Sequence, residues 1–276
     1  MTRTAWLTLA ALCATSRLPA QGVMVAPKAV FMSSGGGSGT VTLLNPGTDP
    51  VEVAVSVFYG YTATDSTGQL RLVTMDHPDS TQPSAAGWLQ AFPRRLTLGP
   101  RDQQVVRLLA TPPAGLADGE YWARLAFTAK AGELPVTGVS DSANIKVGLT
   151  LQIQQVIGLH YRKGQVRTGL TLTGLEAVRQ GDSVIVHASL ERQGNAAYLG
   201  TVHAVVLGAN GKPVGESRVP ITVFFANRPR WAVSIAGAPA DQYRLRLDIA
   251  TQRDDLERQV MLQSPAVSDS TAVKNP

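Results

Sequence analysis

The chain of 276 residues holds a single cysteine, Cys13. Residues 1–20 (MTRTAWLTLAALCATSRLPA) read as a secretory signal peptide: Arg3 supplies the positive start, Ala5 to Ala14 the apolar core, and Leu18-Pro19-Ala20 a small-residue end. Cys13 leaves with that segment, so the mature chain has no disulfide, no thiolate metal site and no thiol nucleophile. Long apolar runs are scarce as well. The signal's run is about half of what a bilayer-spanning helix needs, and no later stretch is long enough. Aromatics are sparse at 6% and charged residues make up 16%, while 44% of residues are hydrophobic. A chain with that much apolar content forms a packed core. Its abundant Val, Thr, Leu and Gly, with few helical periods, favour β structure.

Charge of one sign does not cluster. The formal net charge is +5, and removing Arg3 and Arg17 with the signal leaves about +3. The basic residues are scattered (Arg94-Arg95, Arg162-Lys163, Arg228 with Arg230, Arg244 with Arg246) without interleaved aromatics, which argues against a nucleic-acid partner. Catalytic signatures are missing too. There is no G-x-S-x-G elbow and no H-E-x-x-H, and the four histidines, His77, His160, His187 and His203, lack metal spacing. They read as solvent-facing strand residues, with His187 and His203 able to meet on paired strands. The glycine-rich Ser33–Gly39 precedes a strand, not the helix that a phosphate cradle requires. No catalytic residue, metal or cofactor is expected, and the protein is read as a non-enzyme.

What the chain does have is alternation. From Ile145 to Ile153 every odd position is a large aliphatic (Ile145, Val147, Leu149, Leu151, Ile153), and the parity resumes at Ile157, Leu159 and Tyr161. Side chains on a strand alternate faces, so Asn144–Tyr161 reads as one strand about 60 Å long with a continuous apolar row. Either this chain caps that row or it is offered to a partner. Strands before it recur about every ten residues with turn residues between them, the spacing of an immunoglobulin-like sandwich. The first is Val23–Phe31, with Pro27 marking it as an edge strand. After a polar boundary at Gly164–Gly169, a second β series runs to Ile249, with Asn210-Gly211 as the plainest hairpin turn. The expected organisation is residues 1–20 signal, 21–163 first sandwich, 164–266 second sandwich and 267–276 disordered tail. Arg107 lies inside an apolar strand, and Glu120 opens a strand that can pair with it. Because buried charges need partners, a structural Arg107–Glu120 ion pair is expected.

In this order and spacing, several segments resemble the PapD-like periplasmic pilus chaperones. They are Lys28-Ala29-Val30-Phe31, Thr42-Leu43-Leu44-Asn45-Pro46-Gly47, Phe92-Pro93 through Leu98-Gly99-Pro100 to Arg107, and the strand end Leu159-His160-Tyr161-Arg162. The likeness covers about Val23 to Arg162; beyond that only length and β pattern agree. It implies an all-β protein of two immunoglobulin-like sandwich domains, a PapD-like one and a second, set at an angle with a client held in the cleft. It further implies that Ile145, Val147, Leu149, Leu151 and Ile153 are lent to an incomplete client sandwich, and that Lys28 grips the client's terminal carboxylate. A second basic anchor belongs on the long strand in that family, and the matching position here is Val156. The implied function is a periplasmic chaperone that binds pilus or other surface-fibre subunits by donor-strand complementation and delivers them for assembly. Its partners would be those subunits and an outer-membrane usher. The alternative is a structural or adhesive two-domain envelope protein whose long strand is covered by its own chain.

Overall fold

The computed structural model describes residues 22–130, 134–135, 148–149, 152–239 and 242–275. The strands of the first half are β1 (Met24–Ala26), β2 (Ala29–Ser33), β3 (Ser38–Leu44), β4 (Val51–Thr64), β5 (Leu70–Met75) and β6 (Leu89–Phe92). They continue with β7 (Arg95–Leu98), β8 (Gln103–Ala110), β9 (Gly119–Lys130), the short pair β10 (Leu134–Pro135) and β11 (Gly148–Leu149), and β12 (Gln152–Lys163). One sheet runs β1-β3-β8-β6; the other runs β2-β12-β9-β4-β5, with β7 also on β4. Alternation sorts the side chains as period two requires. Val41 and Leu43 of β3 and Val106 and Leu108 of β8 face Val53 and Val55 of β4 and Leu125 and Phe127 of β9 across the core. Asn45 fastens the turns between these strands. It is fully buried, its Nδ2 donates to the carbonyls of Leu98 (3.3 Å) and Gly99 (2.9 Å), and its Oδ1 accepts from the Gly47 N–H.

The first strand is broken where a single strand was expected. β1 pairs with β3 in one sheet and β2 with β12 in the other, and the chain changes sheets at Pro27-Lys28. Lys28 is thereby exposed at a sheet corner, not in mid-strand. The long strand is also divided. β12 pairs antiparallel with β9 over its whole length and parallel with β2 only from Gly158 to Arg162. Gly148-Leu149 belong to a separate antiparallel pair with Leu134-Pro135.

The second half holds β13 (Thr168–Gln180), β14 (Ser183–Gly194), β15 (Tyr198–Leu207), β16 (Pro213–Val223), β17 (Ala226–Asn227), β18 (Arg230–Ser234), β19 (Arg244–Ala250) and β20 (Val267–Ala272). Its sheets are β13-β14-β17, with β18 also on β14, and β16-β15-β19-β20. Between them lie Val184, Val186, Ala188 and Leu190 against Val202, Ala204, Val206, Leu245, Leu247 and Ile249. The β15–β16 hairpin closes at Asn210-Gly211, with Gly211 at φ +73, where a side chain would be strained. The protein is therefore two immunoglobulin-like β-sandwiches.

The disordered tail is corrected. β20 pairs with β19 from Ile249–Val267 to Arg244–Ala272. Beyond it the Val273 N–H reaches the Tyr243 carbonyl (2.9 Å) and the Lys274 N–H the Ala177 carbonyl (2.9 Å), so the last residues cross from one sheet to the other. An edge strand requires only backbone partners and one half-buried side, here Val267 and Thr271, so its polar composition conceals it.

Candidate binding cleft between the sandwiches

The face of β9 that does not enter the first core carries Glu120, Trp122 and Arg124. Opposite them on β12, in register, stand Arg162, His160 and Gly158. These three cross-strand pairs form the floor between the two sandwiches. Glu120 is 1% exposed yet fully satisfied. Its Oε1 accepts from Trp122 Nε1 (2.8 Å), His160 Nδ1 (2.9 Å) and the Ala197 N–H (3.1 Å), and its Oε2 accepts from Arg162 Nε (2.8 Å). Burial alone would raise this carboxyl's pKa, but His160 and Arg162 outweigh it and hold it down at about 2. Arg162 also donates to the Val260 carbonyl (2.6 Å) and Ala197 belongs to the second half, so one carboxylate ties the sandwiches together.

Planar groups stack along this floor. His160 lies nearly parallel to Phe31 (4.8 Å, 14°) on one side and to Phe224 (6.0 Å, 14°) on the other. The guanidinium of Arg162 covers Phe31 (4.8 Å) and that of Arg124 covers Phe224 (5.0 Å). Tyr59, Trp122, Ala197, Leu199 and Phe224 form an apolar cluster around the stack, to which both sandwiches contribute.

Above the stack a cavity of about 140 Å³ opens, lined by Lys28, Thr62, Arg124, Gly158 and His160 from one side and Leu199, Thr222, Phe224, Arg253 and Asp255 from the other. Among the described residues Lys28 has no hydrogen bond or ion pair. Its charge is felt by Asp255, whose carboxyl lies below its ordinary range first because of Arg253 and in part because of Lys28. Arg253 is committed: Nε and Nη2 grip both oxygens of Asp255 (2.6 Å each). Beside the cavity, the edge of β12 from Gln152 to Ile157 has no strand partner on the side away from β9 among the described residues.

Of the residues singled out in the sequence, Lys28 lines this cavity. Ile153 lies on β12, half-buried, its Cδ1 3.6 Å from where a Cβ on Gly22 would stand. Leu149 is described only by its backbone pairing with Leu134; Ile145, Val147 and Leu151 lie outside the described residues. Val156 is 37% exposed on the cleft face of β12. The Arg107–Glu120 ion pair is corrected. β8 and β9 lie in different sheets, and Val106 and Leu108 take the inward positions, so Arg107 points to solvent. His160 is likewise not solvent-facing but 3% exposed. His187 and His203 lie on β14 and β15, which do not pair. Arg124, His160 and Arg162 were missed as site residues. The alternation that places Tyr121, Ala123, Leu125 and Phe127 on the core face already puts Glu120, Trp122 and Arg124 together on the other. Among the described residues no three metal-ligating side chains cluster, and no helix is long and apolar enough to cross a membrane.

No protein-family model matches the chain, and no curated protein matches it by sequence. The solved structures to which the chain is similar include several chaperones, at low identity. The YadV chaperone aligns over 91% of this chain and 98% of its own with 14% identity and a TM-score of 0.44. The Pseudomonas aeruginosa CupB2 chaperone aligns over 91% of this chain and 100% of its own, with 10% identity and a TM-score of 0.44. A chain from the Salmonella enterica SafA pilin–SafB chaperone complex aligns over 90% of this chain and 95% of its own, with 16% identity and a TM-score of 0.41.

Proposed function

We propose that this protein is a periplasmic chaperone that holds unfinished β-sandwich subunits of pili or other surface fibres by lending them a strand, and that residues 21–163 and 164–275 act as its two domains. The observation that carries the reading is the edge of β12 at Gln152–Ile157, unpaired among the described residues and ending beside a cationic cavity. An unpaired edge offers a row of N–H and C=O groups to an incoming strand. The direction of that strand follows from the cavity. Lys28 stands just before β2, whose first residue, Ala29, is opposite Gly158, so a client whose terminal carboxylate reaches Lys28 runs parallel to β12 and ends against the start of β2. The lent row is Ile145, Val147, Leu149, Leu151 and Ile153. Burying four or five such side chains contributes roughly 6–15 kcal/mol gross, before the cost of association. Release then comes from exchange of the lent strand for one from another subunit, at an outer-membrane usher.

The test is Leu149→Asp combined with Leu151→Asp. The doubly substituted protein should keep its melting profile yet no longer co-purify with a coexpressed fibre subunit. If the pair of substitutions unfolds the protein, the row belongs to its own core and a structural envelope protein is the better reading. Lys28→Ala should weaken capture without unfolding.

A further inference from the structure

We propose, on the strand-lending reading, that Arg124 supplies the second cationic anchor of the cleft: together with Lys28 it takes the client's terminal carboxylate, reaching in from β9, not from β12. Four features of the cleft lead there. The guanidinium of Arg124 is held in place, with Nε donating to the Gly60 carbonyl (3.0 Å) and its plane over Phe224, yet Nη2 is buried and has no partner. No carboxylate pairs with it among the described residues, and burial depresses its pKa to about 10. A largely buried cation without a counter-ion is costly, and a site built for a visiting anion accounts for it.

The second feature is the residue opposite. Gly158 faces Arg124 across the β9–β12 ladder, and a Cβ there would lie 3.2 Å from Arg124 Nη1 and 3.4 Å from His160 Nε2. Glycine thus leaves open the space on which both nitrogens converge. Third, the remaining cation, Arg253, is consumed by Asp255, the Ile221 carbonyl (3.1 Å) and Thr222 Oγ1 (3.4 Å), so Lys28 and Arg124 are the two left to meet an anion. Fourth, the cavity of about 140 Å³ has room for a group about the size of benzene: a carboxylate with part of its residue, not a nucleotide. Arg124 meets the carboxylate through Nη1, the nitrogen on the Gly158 side, while Lys28 acts as a point charge.

The experiment compares, on the full chain, a short peptide of alternating valine and threonine ending in a free carboxylate with the same peptide ending in an amide, by calorimetry. Wild type should bind the acid about tenfold or more tighter than the amide. Arg124→Gln and Lys28→Gln should each shrink that ratio several-fold and leave amide binding unchanged. Should Arg124→Gln fail to fold, Gly158→Ala carries the same comparison, because its methyl group crowds Nη1 while leaving both charges in place. A ratio unchanged in Arg124→Gln but reduced in Lys28→Gln overturns the role of Arg124 and leaves strand lending intact. Equal weakening of acid and amide in Arg124→Gln makes the residue merely structural and overturns it too. Wild-type protein that binds neither peptide removes the strand-lending reading and Arg124's role together.

Discussion

Removing the Glu120 carboxylate should loosen the two sandwiches from each other more than any other single change on their shared floor. In Glu120→Ala the indole N–H of Trp122, the imidazole of His160, the Nε of Arg162 and the N–H of Ala197 all lose their acceptor at once. Each orphaned buried donor costs about 1–3 kcal/mol, and a buried ion pair broken from one side typically costs 3–5 kcal/mol. The donors do not add, because water can enter beside Trp122 and Arg162 keeps the Val260 carbonyl. A loss of about 3–5 kcal/mol is therefore expected. Two domains need not melt as one unit, so the assay pairs a calorimetric melt with hydrogen exchange at the Ala197 amide, which should lose protection. Glu120→Gln keeps the shape and one acceptor oxygen but turns an N–H₂ toward existing donors; it should fall between wild type and Glu120→Ala. The acid limb has a definite sign. Glu120's pKa is about 2 in the folded protein against an ordinary 4.5. Its stabilising contribution is whole above about 4.5 and is lost as pH falls through about 2. Glu120→Gln should flatten that limb. A Glu120→Ala protein within about 1 kcal/mol of wild type, with the Ala197 amide still protected, would refute the tie between the sandwiches.

Two of the corrections, on Arg107 and on the tail, are equally open to measurement. Arg107→Ala should change stability by no more than about 0.5 kcal/mol in urea denaturation, because the side chain stands on the outer face of its sheet; a loss of several kcal/mol would restore it as a buried partner. Deleting residues 267–276 strips β20 from β19 and removes Val267 and Val273 from the second core. About 2–4 kcal/mol of stability should go with them, seen as a lower melting temperature. An unchanged melt would mean that the tail contributes nothing.

Much of the fold was legible because a strand writes its burial into its sequence. Val51, Val53 and Val55 alternate in the letters and in the core alike, as do Val184, Val186 and Ala188. Asn45 and Leu98-Gly99 both lie in segments that carry the resemblance, although nothing in the letters says that they bond to each other. The errors share a cause. Arg107 with Glu120, and His187 with His203, were joined by nearness in the chain or by guessed pairing, whereas sheet membership is set by long-range contacts that single-strand alternation does not encode. The tail failed for a related reason: an edge strand is held by its backbone, and backbone partners leave little trace in composition.

The cleft shows how far strand-by-strand comparison can reach. Scanning the long strand for a basic residue finds Val156 where an anchor was looked for, and the search ends there. Chemistry asks only that a cation stand near the carboxylate, and a neighbouring strand is about 4.8 Å away, well within reach of an arginine. Register puts Arg124 opposite Gly158, and the missing side chain of that glycine is what lets the guanidinium occupy the face of a strand other than its own. The same guanidinium rests on Phe224 of the second sandwich, while Lys28 is carried by the first alone. An anchor built in this way is correctly placed only while the sandwiches are packed on the Glu120 floor, so on the proposed reading its grip on a client's end is coupled to the contact between them.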